Sequence, residues 1–179
     1  YHKKGNIVVN LSTTALIEDI ARSSGVSVYR TKIGEVNVVE KMKETGAVIG
    51  GEGNGGVIFP DVHYGRDSFV GMALILEYLA YRGVRISEII NEMPEYFMVK
   101  KKVGISDRKK VEEIMEKVKY KVSGKEKVNQ EDGIKIIRTD GWIHIRPSGT
   151  EPVIRIYIEA KSKDIAEKYL AEFISLFSG

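Results

Sequence analysis

Residues 134–160 read IKIIRTDGWIHIRPSGTEPVIRIYIEA, and this stretch decides the architecture of the C-terminal part of the chain. Two apolar runs flank Thr139-Asp140-Gly141, and an Asp-Gly pair between such runs is a strong β-hairpin signal. A third apolar run occupies residues 153–160, after a short loop that contains two prolines. The stretch therefore predicts a hairpin and a further strand of an antiparallel sheet.

The loop after the hairpin, Arg146-Pro147-Ser148-Gly149-Thr150-Glu151-Pro152, carries the groups that bind a phosphate monoester. Arg146 offers a planar fork of donors to two phosphate oxygens, and Ser148 and Thr150 add hydroxyl donors. Gly149 lets the backbone turn so that successive N–H groups converge on an anion, and the prolines stiffen the turn. An ordinary hairpin turn is the alternative, because Pro, Ser and Gly favour turns for purely local reasons.

Amphipathic helices are predicted on both sides of this stretch. One follows the capping residues Ser106 and Asp107, and the other covers residues 163–177. Two helices and an antiparallel sheet make a small α+β domain, which we place at residues 104–179. Residues 97–99 are interpreted as a strand that leaves the preceding domain.

Residues 1–103 follow a different pattern, in which short apolar strands alternate with helices. A strand at 7–11, a helix at 15–24 and a strand at 26–29 form a βαβ unit, which is typical of an α/β domain. We expect a mixed sheet with flanking helices. A long helix at 67–81 is expected to bury one apolar face, which carries Phe69, Met72, Ala73, Leu76 and Leu79.

Within the first domain, the loop Gly50-Gly51-Glu52-Gly53-Asn54-Gly55-Gly56 holds one carboxylate and one amide on a thin backbone. Glu52 can accept from hydroxyl groups and Asn54 can accept and donate, so the pair suits the vicinal hydroxyls of a sugar. Ligands of open α/β sheets sit outside the carboxyl ends of the strands, where this loop is expected. The alternative is a flexible loop in which Glu52 is simply solvated.

A second loop of the first domain, Thr31-Lys32-Ile33-Gly34-Glu35, also follows a strand and opens a helix. Lys32 could serve an anion, while Glu35 could either meet a ligand or stabilise the helix N-terminus. Arg66 and Asp67 are interpreted as structural, as an ion pair or as the start of a helix. A phosphate loop, a hydroxyl-binding loop and a basic loop on two domains predict a sugar-phosphate site at the domain interface.

The composition narrows the remaining possibilities. The 179 residues include no cysteine, which excludes disulfides and thiolate metal sites and is compatible with the cytoplasmic location that we expect. The three histidines lack ligand-like spacing, so no metal site is expected. A net charge of +3 gives no reason to expect a nucleic-acid or membrane partner, and no apolar run approaches 18 residues. Nucleic-acid binding through the sheet of the second domain is retained only as a remote alternative.

These motifs resemble the C-terminal half of the α-D-phosphohexomutases, the family of phosphoglucomutases, phosphomannomutases and phosphoglucosamine mutases. Residues 146–152, with Arg155 in the following strand, resemble the phosphate-binding loop of the family's fourth domain. Residues 50–56 resemble the sugar-binding loop of its third domain, and residues 31–35, which include Lys32 and Gly34, resemble another loop near the sugar. Many members have Ser and His where this chain has Asn54 and Gly56, and the Asn-Gly version resembles the archaeal-type branch.

The resemblance implies an enzyme that interconverts hexose 1-phosphates and hexose 6-phosphates through a phosphoserine and a bisphosphate intermediate. In the family, the phosphoserine and an Asp-x-Asp-x-Asp loop that holds Mg²⁺ belong to the first two domains. Neither motif occurs in this sequence, so we expect no catalytic residue and no cofactor here. The expected partners are a hexose phosphate and a missing N-terminal half, and the chain alone is expected to be inactive. A stand-alone phosphosugar-binding or regulatory module is the alternative.

Overall fold

The computed structural model describes residues 3–177 and divides the chain into two units, the first ending at Pro94 and the second beginning at Glu95. The first unit is a five-stranded sheet with helices. Its elements are β1 (Ile7–Asn10), α1 (Leu16–Ser24), β2 (Val28–Thr31), α2 (Glu35–Thr45), β3 (Ile49–Gly51), β4 (Val57–Phe59), β5 (His63–Arg66), α3 (Ser68–Arg82) and α4 (Ile86–Glu92).

The sheet of the first unit has the order β2-β1-β3-β4-β5 and is mixed, as predicted. Strand β1 runs parallel to both neighbours, whereas β3, β4 and β5 pair in antiparallel fashion. Helix α2 supplies Val38 and Met42 to a small core that also contains Val8 and Ile58. Because β1, β2 and β3 are parallel, the loops that follow them emerge at one edge of the sheet.

Helix α3 differs from the prediction that it buries its apolar face. Phe69 is 80% exposed and Leu76 is 66% exposed, and Met72 and Ala73 are exposed as well. Gly71 is the one residue of α3 that is buried, and a Cβ there would lie 3.3 Å from the Val57 side chain. The periodicity of the sequence finds an apolar face correctly but does not reveal what covers that face.

The second unit is an α+β domain with an antiparallel sheet and two long helices, as predicted. Its elements are β6 (Phe97–Gly104), α5 (Arg108–Val122), β7 (Lys127–Asn129), β8 (Ile134–Arg138), β9 (Gly141–Pro147), β10 (Val153–Ala160), α6 (Lys163–Ile174) and a 3₁₀ turn (Ser175–Phe177). The strand order is β6-β10-β9-β8-β7, and every neighbouring pair is antiparallel. The β8–β9 hairpin predicted around Asp140-Gly141 is confirmed.

The predicted domain boundary requires a correction. The sequence placed it between residues 103 and 104, with residues 97–99 in a strand that leaves the first domain. In the structure β6 pairs along its whole length with β10, from Phe97 opposite Ala160 to Gly104 opposite Val153. It is an edge strand of the second sheet, and the division therefore falls after Pro94. The partner of an edge strand lies far away in the sequence, so local patterning could not assign it.

Alternation along β9 determines which side chains reach the phosphate loop. Ile143 and Ile145 point into the core that also contains Phe173 of α6, whereas Trp142, His144 and Arg146 lie on the opposite face of the sheet.

Asp107 caps α5 by accepting from the Lys110 N–H at 2.9 Å, as predicted. Among residues 3–177, no helix is long and apolar enough to cross a membrane.

Candidate functional site

The β9–β10 connection holds the predicted phosphate-binding residues in a short loop of the second unit. The Ser148 N–H donates to the Val153 carbonyl at 2.9 Å, and the Val153 N–H donates to the Glu151 carbonyl at 2.8 Å. These bonds close the loop on itself and leave Gly149 and Thr150 exposed at its tip. The sequence folds in this way because Pro147 and Pro152, at either end of the loop, cannot donate to the sheet.

Gly149 plays a different part from the one predicted. Its φ angle is not among the positive ones, and a Cβ there would meet nothing within 4 Å, so the turn itself does not require glycine. Its carbonyl accepts from the Arg108 guanidinium at 2.9 Å, which ties the loop to the first residue of α5. Arg108 was missed at the sequence level, because its only sequence signal is its place beside Lys109 and Lys110 in a short basic segment.

Arg146 and Arg155 are directly opposite each other across β9 and β10, so both guanidinium groups start from the same face of the sheet. The Lys102 ammonium donates to the Glu151 carboxylate at 2.9 Å, and Arg155 lies 3.9 Å from the same carboxylate. The hydrogen bond from Lys102, with the charge of that group, lowers the pKa of Glu151 below its ordinary value. Arg155 therefore contacts the loop through its acidic residue.

A groove of about 740 Å³ lies beside the loop, within the second unit. Its walls include Arg146, Ser148 and Gly149, together with Arg108 and Gly133. Thr150 and Arg155 do not line it. The structure thus brings three of the five predicted phosphate-binding residues to one cavity. Its lining includes two arginines, Arg108 and Arg146, and three glutamates, Glu112, Glu116 and Glu151.

The predicted sugar-binding loop lies in the first unit, between β3 and β4, at the edge where β1 also ends. Glu52 is not solvated, because its side chain is 6% exposed. Its Oε1 accepts from the Asn10 amide and from the Gly34 N–H, both at 3.0 Å, and its Oε2 lies 3.6 Å from the Arg66 guanidinium. The carboxylate is thereby fixed in one orientation at the carboxyl ends of two parallel strands.

The other predicted residues of this loop cluster surround Glu52 less closely. The Asn54 Oδ1 accepts from the Gly56 N–H at 3.1 Å and is exposed. Gly34 has a φ of +127°, which only glycine adopts readily, and it is the N-cap residue of α2. The Lys32 side chain is exposed at the same edge of the sheet.

Arg66 and Glu35 form the structural pair of this region. The Arg66 N–H donates to Glu35 Oε1 at 3.0 Å, and its Nε donates to Oε2 at 2.8 Å. The bond from the Arg66 backbone N–H has the larger effect and the bond from its side chain the smaller one, and both lower the pKa of Glu35. Asp67 caps α3 by accepting from the Phe69 and Val70 N–H groups, which is the predicted helix-start role, whereas Arg66 pairs with Glu35 and not with Asp67. The sequence missed Asn10, which is buried and has no motif around it.

Comparisons with known proteins cover both units. Residues 1–97 match the domain described as phosphoglucomutase/phosphomannomutase, alpha/beta/alpha domain III, and residues 99–176 match the phosphoglucomutase/phosphomannomutase C-terminal domain. The chain belongs to this family. The resemblance seen in residues 50–56 and 146–152 is therefore confirmed, and so is the assignment to the third and fourth domains.

Individual relatives agree with this result. The chain is 45% identical over 177 residues to a phosphoglucomutase/phosphomannomutase of Thermococcus kodakarensis, and 36% identical over 173 residues to a probable phosphoglucosamine mutase of Methanopyrus kandleri. Each match covers 96% of this chain but 38% of the relative, so the chain spans well under half of their length. A phosphoglucomutase/phosphomannomutase family protein of Burkholderia thailandensis has a similar structure, with a TM-score of 0.79, 27% identity and coverage of 96% of this chain and 36% of its own.

Proposed function

We propose that this chain is the substrate-binding C-terminal half of a phosphohexomutase, which interconverts hexose 1-phosphate and hexose 6-phosphate through a phosphoserine and a bisphosphate intermediate. The observation that carries the proposal is the groove that Arg146 lines together with the loop residues Ser148 and Gly149. A planar guanidinium beside backbone and hydroxyl donors is the chemistry that holds a phosphate monoester. In this proposal the groove holds the phosphate that does not react.

Recognition of the sugar is assigned to the first unit. Asn10 and the Gly34 N–H occupy Glu52 Oε1, so a sugar hydroxyl would donate to Oε2, where Arg66 is 3.6 Å away. Asn54, which is exposed, would supply a donor and an acceptor for a second hydroxyl. Lys32 and Gly34 belong to the same edge, and we assign them to contacts with the sugar phosphate.

The transferring chemistry is assigned to an N-terminal half. Within residues 3–177, no group of three or more His, Cys, Asp or Glu side chains is placed to hold a metal ion. In the full enzyme Mg²⁺ would neutralise charge on the transferred phosphoryl group. The residues of this chain bind and orient the substrate, so that a free hydroxyl faces the phosphoserine.

The phosphate assignment predicts a large effect of Arg146. Calorimetric titration at low salt with glucose 6-phosphate, glucosamine 6-phosphate, mannose 6-phosphate and inorganic phosphate is expected to show binding by the wild type. Arg146→Ala is expected to lose about 1.5–3 kcal/mol of binding free energy, as for a charge-assisted hydrogen bond. Arg22→Ala removes the same charge from a 77%-exposed side chain of the first unit and serves as the control.

This titration tests the phosphate assignment and the sugar assignment separately. Equal affinity of Arg146→Ala and wild type would refute the phosphate assignment. A preference for one hexose phosphate over inorganic phosphate would support sugar recognition by the glycine loop and would identify the sugar.

The N-terminal half also explains the exposed face of α3. Phe69, Met72, Ile75 and Leu76 are each at least half exposed, and contiguous apolar patches of this kind commonly mark protein–protein contacts. We assign this face to contact with the N-terminal half. Mixing the chain with the separately produced preceding region of the Thermococcus kodakarensis relative is expected to give a complex with mutase activity.

The double substitution Phe69→Glu with Leu76→Glu is expected to weaken that complex at least about tenfold, since it places two charges in an apolar contact. Tyr120→Glu changes an 86%-exposed residue of the second unit and serves as the matched control. Unaltered association of the double variant would exclude this face. Phosphosugar binding without any association or activity would instead favour a stand-alone binding module.

A further inference from the structure

Arg146 is held by a turn on the neighbouring strand. Its Nε donates to Asp132 Oδ1 at 3.1 Å, and the two side chains are 21% and 14% exposed. Asp132 lies in the connection between β7 and β8, fourteen residues away in the sequence. Nothing in the phosphate-loop motif points to this residue, because the contact depends on the pairing of β8 with β9.

The turn is fixed to β9 at a second point. His144 is fully buried, and its Nε2 lies 2.5 Å from the Asp132 carbonyl. A carbonyl oxygen only accepts, so His144 carries its proton on Nε2 and donates. His144 and Arg146 are two residues apart on one face of β9. His144 therefore bonds to the backbone carbonyl of Asp132, while Arg146 bonds to the side chain of the same residue.

The backbone of the turn also packs directly on β9. Gly133 has a φ of +73°, and a Cβ there would lie 2.4 Å from the Ile145 carbonyl and 2.8 Å from the Arg146 Cα. The Asn129 Oδ1 accepts from the Glu131 N–H at 2.8 Å, which closes the turn from the other side. Asp132 is thus presented to Arg146 by a backbone that has little room to move.

The contact selects one edge of the guanidinium. A phosphate can bind an arginine through the two Nη groups or through Nε and one Nη. Asp132 occupies Nε, which leaves the Nη1–Nη2 edge for an anion in the groove that Arg146 and Gly133 line. We propose that Asp132 is a positioning residue, which orients Arg146 so that its Nη edge faces the phosphate of the ligand. This inference rests on the proposed phosphate-binding role of the groove.

Electrostatic repulsion between Asp132 and the ligand would have the opposite effect on binding. A carboxylate this close to a phosphate site repels the ligand dianion, so its removal would strengthen binding if repulsion were its main effect. Orientation has the reverse consequence, since an arginine without its anchor loses conformational freedom when the ligand binds. The two effects therefore predict changes of opposite sign.

The test compares wild type, Asp132→Ala and Asp132→Asn in calorimetric titrations with inorganic phosphate and with glucose 6-phosphate. Asp132→Ala is expected to weaken binding by about three- to tenfold, because the anchor of Arg146 is lost. Asp132→Asn keeps an oxygen that accepts from Nε and is expected to bind within about threefold of wild type. Equal or tighter binding by Asp132→Ala would overturn the positioning role.

A second measurement reports on the arginine itself. In ¹⁵N NMR spectra of the ligand-free protein, the Arg146 Nε–H signal is expected to be protected from exchange in wild type and Asp132→Asn. It is expected to be lost to fast exchange in Asp132→Ala. An unchanged Nε–H signal in a normally folded Asp132→Ala variant would show that Asp132 does not hold Arg146 in place.

These measurements separate this inference from the proposed function. If wild type binds phosphate and Arg146→Ala does not, the groove is established, and the Asp132 variants then decide the positioning role alone. If wild type binds no phosphate ligand, or Arg146→Ala binds as well as wild type, the proposed function fails and the positioning role fails with it.

Discussion

Replacing Arg138 by alanine is expected to destabilise the second unit by about 2–4 kcal/mol, although this residue belongs to no binding motif. Its side chain is 17% exposed and bridges two carboxylates, that of Glu126 in the α5–β7 connection and that of Glu172 in α6. Glu126 accepts from Nη2 at 2.5 Å, and Glu172 of α6 accepts from Nη1 at 2.8 Å and from Nη2 at 3.0 Å. The guanidinium also lies 4.7 Å from the centre of the Tyr169 ring.

The expected loss is large because alanine leaves two partly buried carboxylates without their shared cation. The hydrogen bond from Arg138 lowers the pKa of Glu172, so this neighbour favours the ionised carboxylate. The measurement is urea unfolding followed by the fluorescence of Trp142, the single tryptophan of the chain, which is 4% exposed in the second unit. The signal therefore reports on this unit alone.

A matched triple variant separates charge burial from packing. Arg138→Met combined with Glu126→Gln and Glu172→Gln removes all three charges and keeps most of the volume. Replacing a buried ion network by groups of similar volume is often neutral, so this variant is expected to lie within about 1 kcal/mol of wild type. A loss below about 0.5 kcal/mol for Arg138→Ala would contradict the argument.

The fold was largely predictable because its elements carry local signals. The Asp140-Gly141 turn and the Asp107 cap are both specified by short stretches of sequence, and each was found in the structure. The mixed sheet followed from the strand–helix–strand order. What failed was non-local, since neither the partner of β6 nor the exposure of α3 is encoded near those residues.

The candidate site divides in the same way. Arg146, Ser148 and Glu52 could be selected from the sequence because each lies in a dense motif of turn residues and polar groups. Asn10, which holds the Glu52 carboxylate, and Asp132, which holds the Arg146 guanidinium, could not be selected from the sequence. The Asn10–Glu52 contact joins residues 42 positions apart, and Asp132 lies in a turn outside the phosphate-loop motif. A buried asparagine or a turn aspartate has no distinctive surroundings. The binding groups were thus predictable, while the residues that orient them required the structure.

His144 is expected to make the stability of the second unit depend on pH between about 6.5 and 4. Burial, assisted by the positive charges of Lys135 and Arg146, lowers its pKa from 6.5 to about 4, against the opposing effect of Asp132. Below pH 6.5 the unfolded chain takes up a proton on this histidine that the folded protein does not. The unfolded state therefore binds more protons, and the free energy of unfolding decreases as the pH is lowered. The contribution is fully present above pH 6.5.

The size of this effect follows from the shift. At 1.36 kcal/mol per pKa unit, the second unit is expected to lose about 3 kcal/mol between pH 6.5 and pH 4 through His144. Urea unfolding followed by Trp142 fluorescence, at half-unit steps of pH, measures it. His144→Gln can still donate to the Asp132 carbonyl but does not titrate, so its curve should lack this slope and keep the losses due to carboxylates. Parallel curves for the two proteins would show that burial does not hold the imidazole neutral.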